Sequence, residues 1–188
     1  GYQVIDGEQH YLMPGLIDVH THIISLAQAR RALDAGVTTV RTAGVAAYQD
    51  VSLRELAKAG VVAGPDVVAA GVFVTPNLAD AVLADPRLKT LNGGVQTEEE
   101  LRLLVRVNAD RGVDVIKTRA TERAGLPETD PRRQAYTSKQ LHIIIDEATK
   151  HGLPVLVHAH GDEGPLRLSP QRQHQHAGQQ VDHQGAQQ

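Results

Sequence analysis

Residues 13–40, MPGLIDVHTHIISLAQARRALDAGVTTV, decide the fold. Pro14 and Gly15 break the chain ahead of a short apolar run, Leu16 to His20, which reads as a strand. Leu26, Ala29 and Leu33 then recur at helical spacing up to Ala35. Gly36 supplies the residue that ends such a helix, and Val37 to Val40 is rich in β-branched side chains, as a buried strand should be. Strand, helix and strand with short connections make the repeating unit of a parallel sheet.

The unit recurs downstream. Leu53, Leu56 and Ala57 share a face of a second helix, and a third strand follows at Asp66 to Ala70. Thr97 with Glu100 forms a capping box for a helix whose Leu101, Leu104 and Val105 point inward, and Val113 to Lys117 is the fourth strand. A second capping box, Thr137 with Gln140, opens a helix carrying Leu141, Ile144, Ile145 and Ala148. Gly152 stops it, and Pro154 to Ala159 gives the fifth strand, with Pro154 at the one position where a strand accepts it. The expected class is α/β with about five parallel strands.

The 188 residues, 41% of them hydrophobic, suffice for one domain with a core. A formal charge of -3 without a basic stripe argues against nucleic acid as a partner. The longest apolar stretch, Val67 to Val74, falls far short of the roughly 20 residues that span a bilayer, so no membrane partner is expected. With no cysteine, any metal is held by imidazole and oxygen donors, a choice that suits zinc, manganese, iron or nickel. No charged segment precedes an apolar one at the N-terminus, so a cytoplasmic location is expected unless the start is missing. Residues 171–188 hold eight Gln and three His, with Val181 their single large aliphatic residue. The tail from 165 to 188 is therefore expected to be disordered or aberrant, as a shifted reading frame would make it.

His20 and His22 end the first strand, and residues i and i+2 of a strand point to one face. Ten histidines predict roughly 0.5 His-x-His pairs by chance, whereas the chain has three, at 20/22, 158/160 and 174/176. Spacing alone leaves metal binding and surface hydrogen bonding equally open. Position separates them: His20, Lys117 and His158 fall at the carboxyl ends of three different strands, where parallel barrels gather catalytic groups. His160 shares the face of His158 and is open to three roles: ligand, substrate contact or support behind a ligand. Arg119, Thr121 and Glu122 after strand four, and Thr75 and Asn77 after strand three, are candidates for a substrate rim or are simply solvated. A structural reading of Lys117 pairs it with Glu122 or Glu163.

MPGLIDVHTHI at 13–23, AGVTTVRTAG at 35–44, GVDVIK at 112–117 and PVLVHAHGDEG at 154–164 together resemble the amidohydrolase superfamily. The likeness is to the branch with imidazolonepropionase and the prolidase-like dipeptidases, and it covers residues 4–164. It implies a partial TIM (β/α)8 barrel over residues 13–164, preceded at 1–12 by the end of a β-sandwich segment. It implies one or two divalent ions, zinc being the expected metal. His20 and His22 would take the more buried ion, His158 the second, and Lys117, as a carbamate made with carbon dioxide, would bridge them. A free ammonium has only donors and cannot ligate a cation, which is why the modification is needed.

The resemblance further implies hydrolysis of carbon–nitrogen bonds in small amide or dipeptide-like substrates, by water that the metal makes nucleophilic. The family's sixth-strand His and the general-base Asp after strand eight have no recognisable counterpart, and His174, His176, Asp182 and His183 in the Gln-rich tail are not assigned those roles. A whole barrel takes roughly 250 residues, so an incomplete chain without appreciable activity of its own is expected. Its unpaired sheet edges would make it marginal, oligomeric or aggregation-prone, a homo-oligomer being one such state. Two other readings stay open: a catalytically inactive chain that still binds metal, and a nonenzymatic metal-binding protein acting through its tail.

Overall fold

The computed structural model describes residues 2–125 and 127–160. Among them β1 (Leu16–Thr21), α1 (Leu26–Asp34), β2 (Val37–Thr42), α2 (Gln49–Lys58), β3 (Asp66–Val68), α3 (Glu98–Asp110), β4 (Ile116–Arg119), α4 (Ser138–Lys150) and β5 (Val155–His158) alternate as the periodicity requires. Two short 3-10 helices, Ala79–Ala84 and Pro86–Leu91, fill the long connection from β3 to α3. No helix among the described residues is long and apolar enough to cross a membrane. Residues 161–188, which include Glu163 and the tail histidines, lie outside the described residues.

All neighbouring strands are parallel. β1 pairs with β2, setting Ile17 against Thr39, and β2 pairs with β3, setting Val40 against Val67. β4 pairs with β5 from Ile116 against Val155 to Arg119 against His158. The two groups of strands are joined beyond β3. Ala69 O accepts from Asp114 N and Val115 N, Val74 N donates to Lys117 O at 2.8 Å, and Thr118 Oγ1 donates to Val74 O at 3.0 Å. The chain after β3 thus runs alongside β4 and makes the order β1 to β5 continuous.

Local chemistry sets the helix ends. Ser25 caps α1, and both Thr97 with Glu100 and Thr137 with Gln140 form the reciprocal capping boxes their spacing predicts. At Gly36 φ is +82°, a conformation that an L side chain resists, and its carbonyl accepts from Leu16 N, tying helix end to strand start. Leu101 and Leu104 of α3 face Leu141 and Ile144 of α4 in the larger core, each burial contributing about 2 kcal/mol. A smaller core of Ala29, Val40, Leu53 and Val67 lies under α1 and α2.

Several local expectations are corrected. The fourth strand is Ile116–Arg119 rather than Val113 to Lys117, because Asp114 N and Val115 N are spent on Ala69 O before regular pairing starts. Arg119 therefore ends this strand instead of following it. On α4 it is Ile143 that is buried beside Ile144, with Ile145 only half-buried, and Leu56 on α2 is 38% exposed. Residues 2–15 form no strand, because a lone extended segment has no neighbour to supply its hydrogen bonds.

Buried polar groups hold the carboxyl ends of the strands in place, and sequence reading missed them all. Asp50 on α2 is fully buried and accepts from Thr42 Oγ1 at 2.6 Å and from Ala70 N and Gly71 N at 2.9 Å. Asn108 on α3 bonds both backbone groups of Val72. Asp114 accepts from Ala69 N and from Arg54. Each satisfies backbone that regular pairing leaves open, and together they aim the segment carrying Phe73 and Thr75 at the site.

Candidate active site

A cleft of about 530 Å³ opens at the carboxyl ends of the strands. His20, His22, Lys117, His158 and His160 all line it, so three separate strands deliver their candidate groups to one place, Lys117 from the second residue of β4 rather than from its end. Gly44, Phe73, Thr75 and Leu78 complete much of its wall, and Arg123 enters from the loop after β4. Asn77 and Glu122 are not among its lining residues, and Thr121 is buried beneath it.

The His20 and His22 rings stand edge to face with centroids 5.7 Å apart. His22 Nδ1 lies 2.8 Å from Gly44 O, and since a carbonyl only accepts, this nitrogen carries the proton and Nε2 keeps the lone pair. Backbone approaches this closely because residue 44 is glycine: φ is +94°, and a Cβ there would sit 3.1 Å from Phe73 Cβ. The carbonyl thus fixes the ring as the outer partner of a metal-binding imidazole does. His20 makes no side-chain hydrogen bond among the described residues. Burial, then the Lys117 and His22 charges, keep it below the usual histidine range, so it is neutral near pH 7.

At the end of β5 and just beyond it, His158 and His160 also meet edge to face, at 4.5 Å. His158 Nε2 lies 3.3 Å from Glu122 O and donates to it, which leaves Nδ1 as the free lone pair. Burial lowers the tendency of His158 to protonate, the Glu122 carbonyl works against this, and His160, Lys117 and Arg119 add to it. Thr121 Oγ1 accepts from His160 N at 2.9 Å, so the loop after β4 positions both His158, at the end of β5, and His160 beyond it.

Lys117 is 3% exposed and has no carboxylate partner among the described residues. Glu122, a partner expected for it, is occupied by Asp130 N and by Arg133 at 3.5 Å. Burial first, then the Arg41 and Arg119 charges, push the Lys117 ammonium down to about 8. Among the described residues no three His, Cys, Asp or Glu side chains gather closely enough to hold a metal ion. The donor types nevertheless suit one: two imidazoles with free lone pairs, a third neutral imidazole, and a buried amine that is unusually easy to deprotonate.

A parallel α/β sheet with such a cleft at the carboxyl ends of its strands has the layout of the barrel hydrolases. The chain belongs to the amidohydrolase family, a family of enzymes whose profile matches residues 11–177. Ochratoxinase of Aspergillus niger is 26% identical over 191 residues, covering 81% of this chain and 40% of that protein. A putative prolidase from Bifidobacterium longum superposes with a TM-score of 0.64 at 33% identity, covering 88% of this chain and 41% of that one. A Xaa-Pro dipeptidase with methionine bound in its active site shares the fold, with a TM-score of 0.66 at 24% identity over 89% and 50% of the two chains. The chain spans about two-fifths to half the length of these relatives.

Proposed function

We propose that the cleft is the metal centre of a hydrolase acting on carbon–nitrogen bonds in small amide or dipeptide-like substrates, and that β1 to β5 are the first strands of a (β/α)8 barrel. One observation carries this reading: His20, His22, Lys117 and His158 converge on a single cleft while Lys117 lies buried with no acidic partner among the described residues. Such an amine costs stability unless something uses it. As a carbamate it becomes an oxygen donor like Asp or Glu, and no Asp or Glu among the described residues lines the cleft beside His20 and His22.

A divalent ion held here, zinc by the nature of its donors, would acidify water and polarise a substrate carbonyl. The chain's own part is to hold the donors. Gly44 orients His22, Glu122 orients His158, and Thr121 places the backbone that carries His160. Phe73, Val45 and Leu78 keep one wall of the cleft apolar, which limits water around a reacting amide.

The barrel reading also accounts for the exposure of β1 on both faces, where Leu16, Ile17 and Val19 are more than half exposed. In a closed barrel the edge of β1 is paired and those side chains are covered.

Elemental analysis tests the centre in the 188-residue chain after His174, His176 and His183 are replaced by alanine, so that the tail contributes no imidazole. Zinc or manganese should copurify at up to two ions per chain and fall away when His20→Ala and His22→Ala are combined. Intact mass in bicarbonate should show one added carbon dioxide that Lys117→Met abolishes. Unchanged metal content in the double variant would overturn the reading.

A further inference from the structure

The chain after β4 turns back on itself, and the turn meets the end of β5 at three points. Its first limb is residues 120–122 and its returning limb residues 133–135. Glu122 N donates to Arg133 O and Ala135 N to Ala120 O, each at 2.9 Å, on either side of the antiparallel pairing of Thr121 with Gln134. Each residue of the first limb then holds part of the opposite strand end. Ala120 N donates to His158 O at 2.8 Å, Thr121 Oγ1 accepts from His160 N at 2.9 Å, and Glu122 O accepts from His158 Nε2 at 3.3 Å.

The first two of these bonds fix backbone, and the third fixes a ring. A carbonyl points where its peptide plane is held, so the His158 ring is only as steady as the plane that follows Glu122. The Glu122 side chain steadies that plane by crossing to the other limb. One carboxylate oxygen accepts from Asp130 N at 3.1 Å and the other lies 3.5 Å from Arg133 Nη1. Arg133 N donates to Asp130 O at 2.9 Å, so the carboxylate closes on a turn that is already formed. The Arg133 side chain is largely exposed, which makes the ion pair weak by itself and leaves more of the hold to the charge-assisted bond from Asp130 N. Carboxylate and carbonyl belong to one residue, so the grip of the first passes to the His158 ring through a single backbone unit. Glu122 does not line the cleft, and this is its route to the site.

We infer that the Glu122 carboxylate is a positioning group for His158: by clasping the returning limb it keeps the Glu122 carbonyl on His158 Nε2 and leaves Nδ1 unprotonated. This rests on the proposed metal centre only for its consequence at a bound ion, where such outer partners are worth about 10- to 100-fold in affinity.

Ring-nitrogen spectra of the metal-free 188-residue chain at pH 8, above the ordinary histidine value of about 6.5, test it. His158 should be a single tautomer protonated on Nε2. Glu122→Ala should turn it into a mixture and speed exchange of the amides of residues 122 and 160 about 10-fold, while those of Leu141 and Ile144 in α4 keep their protection. Arg133→Ala, at an exposed position whose backbone bonds remain, should act in the same direction to a smaller extent. With His174, His176 and His183 replaced by alanine, Glu122→Ala should also weaken the ion that His158→Ala removes, by about 10-fold or more, and spare the ion on His20 and His22. Tautomer and exchange changes without any change in bound metal would count against the proposed metal centre alone. A His158 tautomer that stays single in both variants, a mixture already present in the unaltered chain, or lost protection that spreads equally to α4 in both variants overturns the positioning role.

Discussion

Replacing Lys117 by methionine should make the metal-free protein more stable, the reverse of what removing a buried side chain normally does. Lys117 is almost fully enclosed, no described carboxylate faces it, and its folded ammonium titrates at about 8 instead of 10.5. Two and a half units at about 1.4 kcal/mol each come to roughly 3 kcal/mol of strain at pH 7. The charged form is disfavoured on folding, so the unfolded chain binds more protons between these two values. Stability of the wild type must therefore rise with pH from about 8 to about 10.5. Above about 10, Tyr48 and Tyr136, kept protonated by burial, oppose this as the unfolded chain ionises, so the clean window closes near 9.5. Urea unfolding of both proteins, stripped of metal and bicarbonate, should show Lys117→Met ahead by roughly 3 kcal/mol at pH 7 and by roughly 1 kcal/mol at pH 9.5. A methionine variant that is less stable, or whose advantage does not change with pH, would refute the view that Lys117 is held at a cost.

Two further outcomes follow from buried carboxylates. Glu147 on α4 is pushed up by burial but pulled further down, to about 2, by Lys150, Arg102 and Arg106. Its contribution is complete above about 4.5 and is lost as pH falls toward 2. Glu147→Gln should cost roughly 2 kcal/mol at pH 7 in urea unfolding, and progressively less in acid. Asp50→Ala leaves Thr42 Oγ1, Ala70 N and Gly71 N without their acceptor and should cost about 3 kcal/mol. Thermal unfolding that shows no loss for this variant would mean those groups find other partners.

Much of the fold was legible because local chemistry specifies it. Gly36 ends α1, the two Thr-x-x-Glu/Gln boxes open α3 and α4, and the β-branched run at Val37 makes a strand wherever the chain goes. That His20, His22, Lys117 and His158 sit on or just beyond strands was legible as well, since period two and a place in an apolar run are properties of the sequence. The remainder depended on neighbours remote in sequence. Strand four begins at Ile116 because Ala69 O takes the two amides before it, an exchange that no local pattern records. Asp50 and Asn108 read as ordinary polar helix residues until folding sets them against Ala70, Gly71 and Val72. Lys117 was recognisable as a lysine of strand four, but the absence of a described carboxylate beside it is a fact of packing. So is the placement of Arg119 against Phe73, 46 residues earlier in the chain. Sequence by itself determined which groups stand at the ends of the strands, because backbone periodicity and capping act over a few residues. Tertiary structure alone decided which of those groups are buried, paired or left without a partner, because desolvation and charge depend on whatever the rest of the chain brings within a few ångströms.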